Sequence, residues 1–189
     1  MRDHSIIAHF VCAAIVTAAI APITVQAIPA TKPKPATVVL ALDSEGLRVV
    51  NASTGSTRTL PFGLKEADVV SSVTTLRGKP QSRSTNRECG AGALEFAQWS
   101  DGLNLLFQKG RFVGWDVNDL NKGARRLTTM AGIGVGSTRT ALEAAYKTKI
   151  SQSTLGTEFS AGKLGGLLSR NQKNARVTNL WSGTTCMFR

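Results

Sequence analysis

Histidine is missing from this chain beyond position 9, since only His4 and His9 occur among its 189 residues. A Ser–His–Asp or Cys–His arrangement therefore has no base in the body of the chain. Zinc, copper or iron sites built on imidazole are excluded there as well. Cysteine is nearly as scarce, at Cys12, Cys89 and Cys186. Once two of these pair with each other, no thiol nucleophile is left. A Ser–Lys dyad stays open, because the two side chains can meet in space without a motif. Acids are few and scattered, and none falls in a recognisable pattern for the carboxylate pair of a glycosidase.

The N-terminus comes next. Residues 5–24 form an apolar run behind Arg2, and Val25-Gln26-Ala27 places small residues at −3 and −1 of a cleavage site. That is the layout of a secretory signal peptide, 1–27, removed on export, the alternative being an uncleaved membrane anchor, since the run is nearly long enough to span. Cys12 has no small-residue context of the kind a lipid-modified cysteine needs. The next ten residues, IPATKPKPAT, alternate proline with lysine and read as a solvated linker, 28–37. Folding is expected from Val38, with no membrane span left after cleavage. Both histidines leave with the signal, so no cofactor or metal is expected. The remaining pair, Cys89 and Cys186, reads as a disulfide in an oxidising periplasmic or extracellular compartment.

Net charge is +11, which draws a protein to anionic surfaces. The densest basic stretch is Arg77–Arg87, RGKPQSRSTNR. It lacks interleaved aromatics, so it reads as a solvated loop and not as a nucleic-acid site.

GSTRT occurs twice, at Gly55–Thr59 and Gly136–Thr140. The first follows Leu47–Val50 and a run of turn residues, so it opens a strand of a hairpin. The second precedes Ala141, Leu142, Ala145 and Tyr146 at helical spacing, with Ser137 or Thr138 as the cap. One pentapeptide in two structures is an accident. A better repeat aligns Leu60–Val73 with Ile133–Tyr146, and Leu94–Trp115 with Thr157–Trp181. The expected architecture is α+β, an antiparallel sheet with short helices packed on it, in two tandem degenerate repeats. The halves run 38–123 and 124–189, each a short helix and about three strands, with a hairpin ahead of the first.

Gly136, Thr138 and Leu142, opening a short helix before strands, resemble the small fold of the outer-membrane assembly lipoprotein (BamE-like) family. The tandem form resembles the secreted β-lactamase inhibitor protein family. The resemblance spans Ile133–Trp181 and, more thinly, Leu60–Trp115. It implies a non-enzymatic module that contacts proteins.

Two near-motifs fail on inspection. DVNDLNKG (Asp116–Gly123) departs from a calcium loop at Leu120, Asn121 and Leu127. AGIGVGS has Ser137 where a dinucleotide fingerprint needs its third glycine, and reads as a flexible helix entry. Surface remains. In the hairpin turning at Lys109-Gly110, strict alternation puts Phe107, Phe112, Leu103, Leu105 and Gly114 on one side. It puts Leu106, Val113 and Trp115 on the other. That second face is either covered by the N-terminal hairpin of Leu47 and Val49, or exposed. If exposed, the partner-binding candidates are Trp99, Leu106, Arg111, Val113 and Trp115. The expected function is non-enzymatic binding of a protein partner. The alternative is binding of an anionic envelope polymer, glycan or membrane surface through net charge.

Overall fold

The computed structural model describes residues 38–118 and 127–187. The expected signal, the linker and the 123/124 boundary lie outside them. The described chain opens as a meander of β1 (Val38–Asp43), β2 (Gly46–Asn51) and β3 (Thr57–Pro61), antiparallel in that order. Its second corner closes because the Asn51 side chain accepts the N–H groups of Ser53 and Thr54, an Asx device that favours a turn. The first GSTRT thus enters β3.

Helix α1 (Glu66–Arg77) buries Val69 and Val73, carries Glu66 and Asp68 in its first turn and Arg77 in its last. Both ends suit the helix dipole. Four strands follow: β4 (Ser82–Asn86), β5 (Leu94–Gln98), β6 (Leu103–Gln108) and β7 (Arg111–Asn118). The second GSTRT leads into α2 (Arg139–Ala145), where the Thr138 hydroxyl accepts the N–H of Ala141 at 3.1 Å. Four more strands complete the chain: β8 (Lys149–Ser153), β9 (Gly156–Ala161), β10 (Leu164–Leu168) and β11 (Val177–Gly183). They form one antiparallel sheet in the order β4-β5-β6-β7-β11-β10-β9-β8. Each helix is followed by four strands, one more than expected. The class is α+β, dominated by sheet.

One face of the large sheet holds the core. Leu103, Leu105, Phe107, Phe112 and Trp115 from the first meander join Phe159, Leu164 and Leu180 from the second. Val69 and Val73 of α1, Leu142 of α2, and Leu40, Leu42, Leu47 and Leu60 of the small sheet belong to the same buried cluster. At roughly 1.5–3 kcal/mol per buried side chain, this face supplies most of the driving force.

Two expected loops have more structure than composition suggests. The basic stretch 77–87 includes β4, an exposed edge strand paired with β5 from Ser82↔Gln98 to Asn86↔Leu94. Polar, charged edge strands of this kind resist pairing with other chains. The glycine-rich 132–136 segment is not a flexible entry, because it is held by Thr129 N–H to Ile133 O (2.8 Å) and Gly134 N–H to Ser137 Oγ (3.0 Å). A Cβ on Gly134 would lie 2.2 Å from the Leu127 carbonyl oxygen. Close backbone approach, not a phosphate, accounts for that glycine.

Candidate functional site

The hairpin of β6 and β7 carries the expected interface, and a bulge rearranges it. Phe107 faces Phe112 and Leu105 faces Trp115, but the register shifts between Leu106 and Phe107, leaving Val113 as the extra residue. An inserted residue reverses the parity of everything beyond it. Trp115 therefore sits on the core side and Gly114 on the reverse side, the opposite of strict alternation. Trp115 is wholly buried, and its indole N–H donates to the Asp43 carbonyl at 2.9 Å. The N-terminal meander does cover Trp115, on the core face. Trp99 is buried too, its N–H donating to the Gly78 carbonyl at 2.8 Å. Neither tryptophan is a surface residue.

Leu106 and Val113 do lie on the reverse face. Leu106 is buried in a second cluster with Leu94 and Cys89, against which Phe96, Val113 and Cys186 pack. The cover there is the Cys89–Cys186 disulfide, with its Cα atoms 5.2 Å apart. Arg111 is exposed, and its guanidinium donates to the Gly63 carbonyl at 3.2 Å. The five candidates thus do not form one patch.

The reverse face beyond the disulfide is where polar chemistry gathers. Asn104↔Asp116 on β6–β7 and Asp116↔Trp181 on β7–β11 are directly opposed pairs, and Gly165 on β10 faces Trp181 in turn. The indole lies over Gly165, whose Cβ would fall 2.4 Å from Trp181 Nε1. Beside it opens a cavity of about 320 Å³ lined by Asn104, Asp116, Asn179 and Trp181, with Phe96, Leu155, Leu167 and Met187 as apolar walls. Asn104 Nδ2 donates to Asp116 Oδ2 at 3.0 Å, while its buried Oδ1 has no partner among the described residues. Burial drives the Asp116 carboxyl up to about 6, and the Asn104 hydrogen bond offsets only part of that. No ion-pair partner for it occurs among the described residues.

Several polar groups elsewhere already have partners. A cleft of about 380 Å³ beside the small sheet is lined by Asp43, Tyr146 and Lys163 among others. There Asp43 pairs with Arg48, Tyr146 donates to Thr129 at 2.8 Å, and Lys163 meets Glu45 at 2.6 Å. In the basic stretch, Arg77 pairs with Asp101 and Arg83 with Glu66. Contrary to the expectation that no S-x-x-K motif occurs, Ser160 and Lys163 have that spacing of Ser–Lys hydrolases, but this lysine is exposed and turned to Glu45.

Asp116 was visible in sequence only as the first residue of a failed calcium motif. Its neighbours come from separate strands, so only sheet order could have revealed them. Glu158, the other acid on this face, lies three strands away on β9, roughly 14 Å or more at ~4.8 Å per strand. A glycosidase pair needs its carboxyl groups about 5–10 Å apart. Compared with known protein families, curated proteins and solved structures, the chain matches none.

Proposed function

We propose that this is an exported, non-enzymatic module that binds another protein through the reverse face of its eight-stranded sheet. The observation that carries the reading is the one-sidedness of that sheet. Both helices and the small sheet bury one face. On the other, the buried hydrophobic cluster among the described residues is the small one under the disulfide-linked segments. A long antiparallel face with apolar walls around a few polar groups suits a protein contact. The disulfide supports an oxidising compartment, and export follows from the signal-like N-terminus.

The strand order also supports the tandem-repeat proposal. Helix and four-stranded meander occur twice, and the meanders meet last strand to last strand. The tryptophans are not equivalent positions in such a repeat, because Trp115 and Trp181 occupy opposite faces. The resemblance to tandem inhibitor-type envelope proteins points to the same class of function. Net charge as the basis of binding is less well supported, since several of the basic side chains are already in ion pairs.

Capture of a partner from envelope and culture fractions at high salt tests the reading. Leu155→Glu on the cavity wall should abolish capture, whereas Met130→Glu, exposed beside the small sheet, should leave it intact. Capture indifferent to Leu155→Glu, or seen only at low salt, would move the contact elsewhere.

A further inference from the structure

We propose that the cavity around Asp116 receives the guanidinium or ammonium head of an arginine or lysine side chain supplied by the protein partner. The proposal rests on the reverse-face reading above and specifies the chemistry of that partner. Its basis is an excess of acceptors in one small space. Asp116 offers a carboxylate, Asn104 an unpartnered Oδ1, and Trp181 an indole beside them. Among the described residues, the donor aimed at the carboxylate is the Asn104 amide. A buried acceptor without a donor is unfavourable, and a ligand that brings several N–H groups relieves it. A guanidinium brings five, in a planar fork that suits a carboxylate and an aromatic face together.

Size and lining agree with one side chain. At about 320 Å³ the cavity is too small for a strand or helix. Phe96, Leu155, Leu167 and Met187 provide the apolar sleeve that the methylene stem of arginine or lysine packs against. The overall charge of +11 does not forbid a cationic visitor. Exposed charges are screened beyond about 8 Å at physiological salt, whereas the half-buried carboxylate acts at contact. None of the other described side chains lining the cavity carries a charge. Those from β5, β6, β10, β11 and the β8–β9 turn are neutral, and Cys186 is held in the disulfide.

The test is an NMR titration of the full protein with N-acetyl-arginine amide and with its neutral isostere N-acetyl-citrulline amide. The Trp181 indole N–H and the Asn104 side-chain amide are the reporters. Arginine amide should shift both at pH 7.5, and citrulline amide should shift neither. Asp116→Asn, with folding verified by its melting curve, should weaken binding at least tenfold. Lowering the pH to 5 should weaken it about tenfold, because a carboxyl titrating near 6 is then about nine-tenths protonated. Equal binding of citrulline amide, or unchanged affinity in Asp116→Asn, overturns the proposal. So does silence of both reporters at pH 7.5. A protein that ignores arginine amide yet loses its partner on Leu155→Glu overturns this inference and leaves the reverse-face reading standing. Arginine binding combined with partner capture unaffected by Leu155→Glu overturns the assignment of the cation to that partner.

Discussion

Asp116 makes the folded protein less stable at neutral pH. Its carboxyl titrates near 3.8 in the unfolded chain and near 6 in the folded one. Below pH 3.8 both states hold the proton and the group contributes nothing. Between the two values the folded chain keeps a proton that the unfolded chain has released, so stability falls as pH rises. Above 6 the full penalty stands, up to ~3 kcal/mol. Asp116→Asn should therefore stabilise the protein by up to that amount at pH 7.5 and leave it unchanged at pH 3, measured by urea unfolding at each pH. A gain at both pH values would show that the benefit is packing and not charge. Asp43 behaves oppositely: burial raises its pKa, but the Arg48 hydrogen bond, the Glu45 N–H and the Arg48 charge together hold it below 3.8. A carboxylate kept where it destabilises the fold is what a binding site looks like at the residue scale. Trp115 illustrates the contrary case. Trp115→Ala should cost ~3–5 kcal/mol, and lost binding in that variant would report lost folding. The cleaner probe is Gly165→Ala, whose new methyl must displace the Trp181 indole. A red-shifted tryptophan emission with a stability loss of ~1–3 kcal/mol is expected.

At the scale of elements, local chemistry was legible and parity was not. Turn residues before one GSTRT and helical spacing after the other correctly separated β3 from α2. Of the residues at helical spacing after the second GSTRT, Leu142 is buried and Tyr146 partly so, while Ala141 and Ala145 are exposed. The reversal of Trp115 escaped because a bulge leaves little mark in sequence. Val113 looks like any strand residue, and its displacement is fixed by a neighbour 71 positions on, where Thr184 N–H donates to its carbonyl at 2.8 Å. β4 escaped because its five polar residues carry no apolar alternation, and pairing with β5 alone makes them a strand. The Cys89–Cys186 bond was legible from count and compartment, and the structure adds what it protects. It closes a span of 97 residues and roofs Leu94 and Leu106. Replacing both cysteines by alanine should lower stability by up to ~4.7 kcal/mol. It should also open the reverse face at β5–β6, seen as faster amide exchange there than in β8–β9. Uniform acceleration across the sheet would mean the bond acts through the unfolded chain alone.

At the scale of the whole molecule, the two meanders are joined in a way that sequence comparison of halves does not convey. β7 and β11 pair from Gly114↔Gly183 to Asn118↔Asn179, so eight strands hydrogen-bond as one sheet. The buried cluster likewise runs without a break from Leu40 to Leu180. Neither meander owns a complete core, since Trp115 of β7 and Leu180 of β11 belong to one buried cluster with the small sheet. Independent folding of the halves would leave much of that layer exposed, at about 25 cal/mol for each Å² of apolar surface. The chain is therefore expected to unfold in a single transition. Near-ultraviolet dichroism of the tryptophans should coincide with far-ultraviolet dichroism of the backbone across a urea titration. Two resolved transitions would instead mean that the β7–β11 seam is weaker than either meander. The same continuity bears on binding. Asp116 and Trp181 come from opposite sides of the seam, so the proposed cation pocket exists only while the two meanders are joined. Because Leu180 faces the core and never touches the ligand, Leu180→Ala should leave arginine affinity unchanged while the chain stays folded, and binding should be lost across the same urea transition that unfolds the sheet.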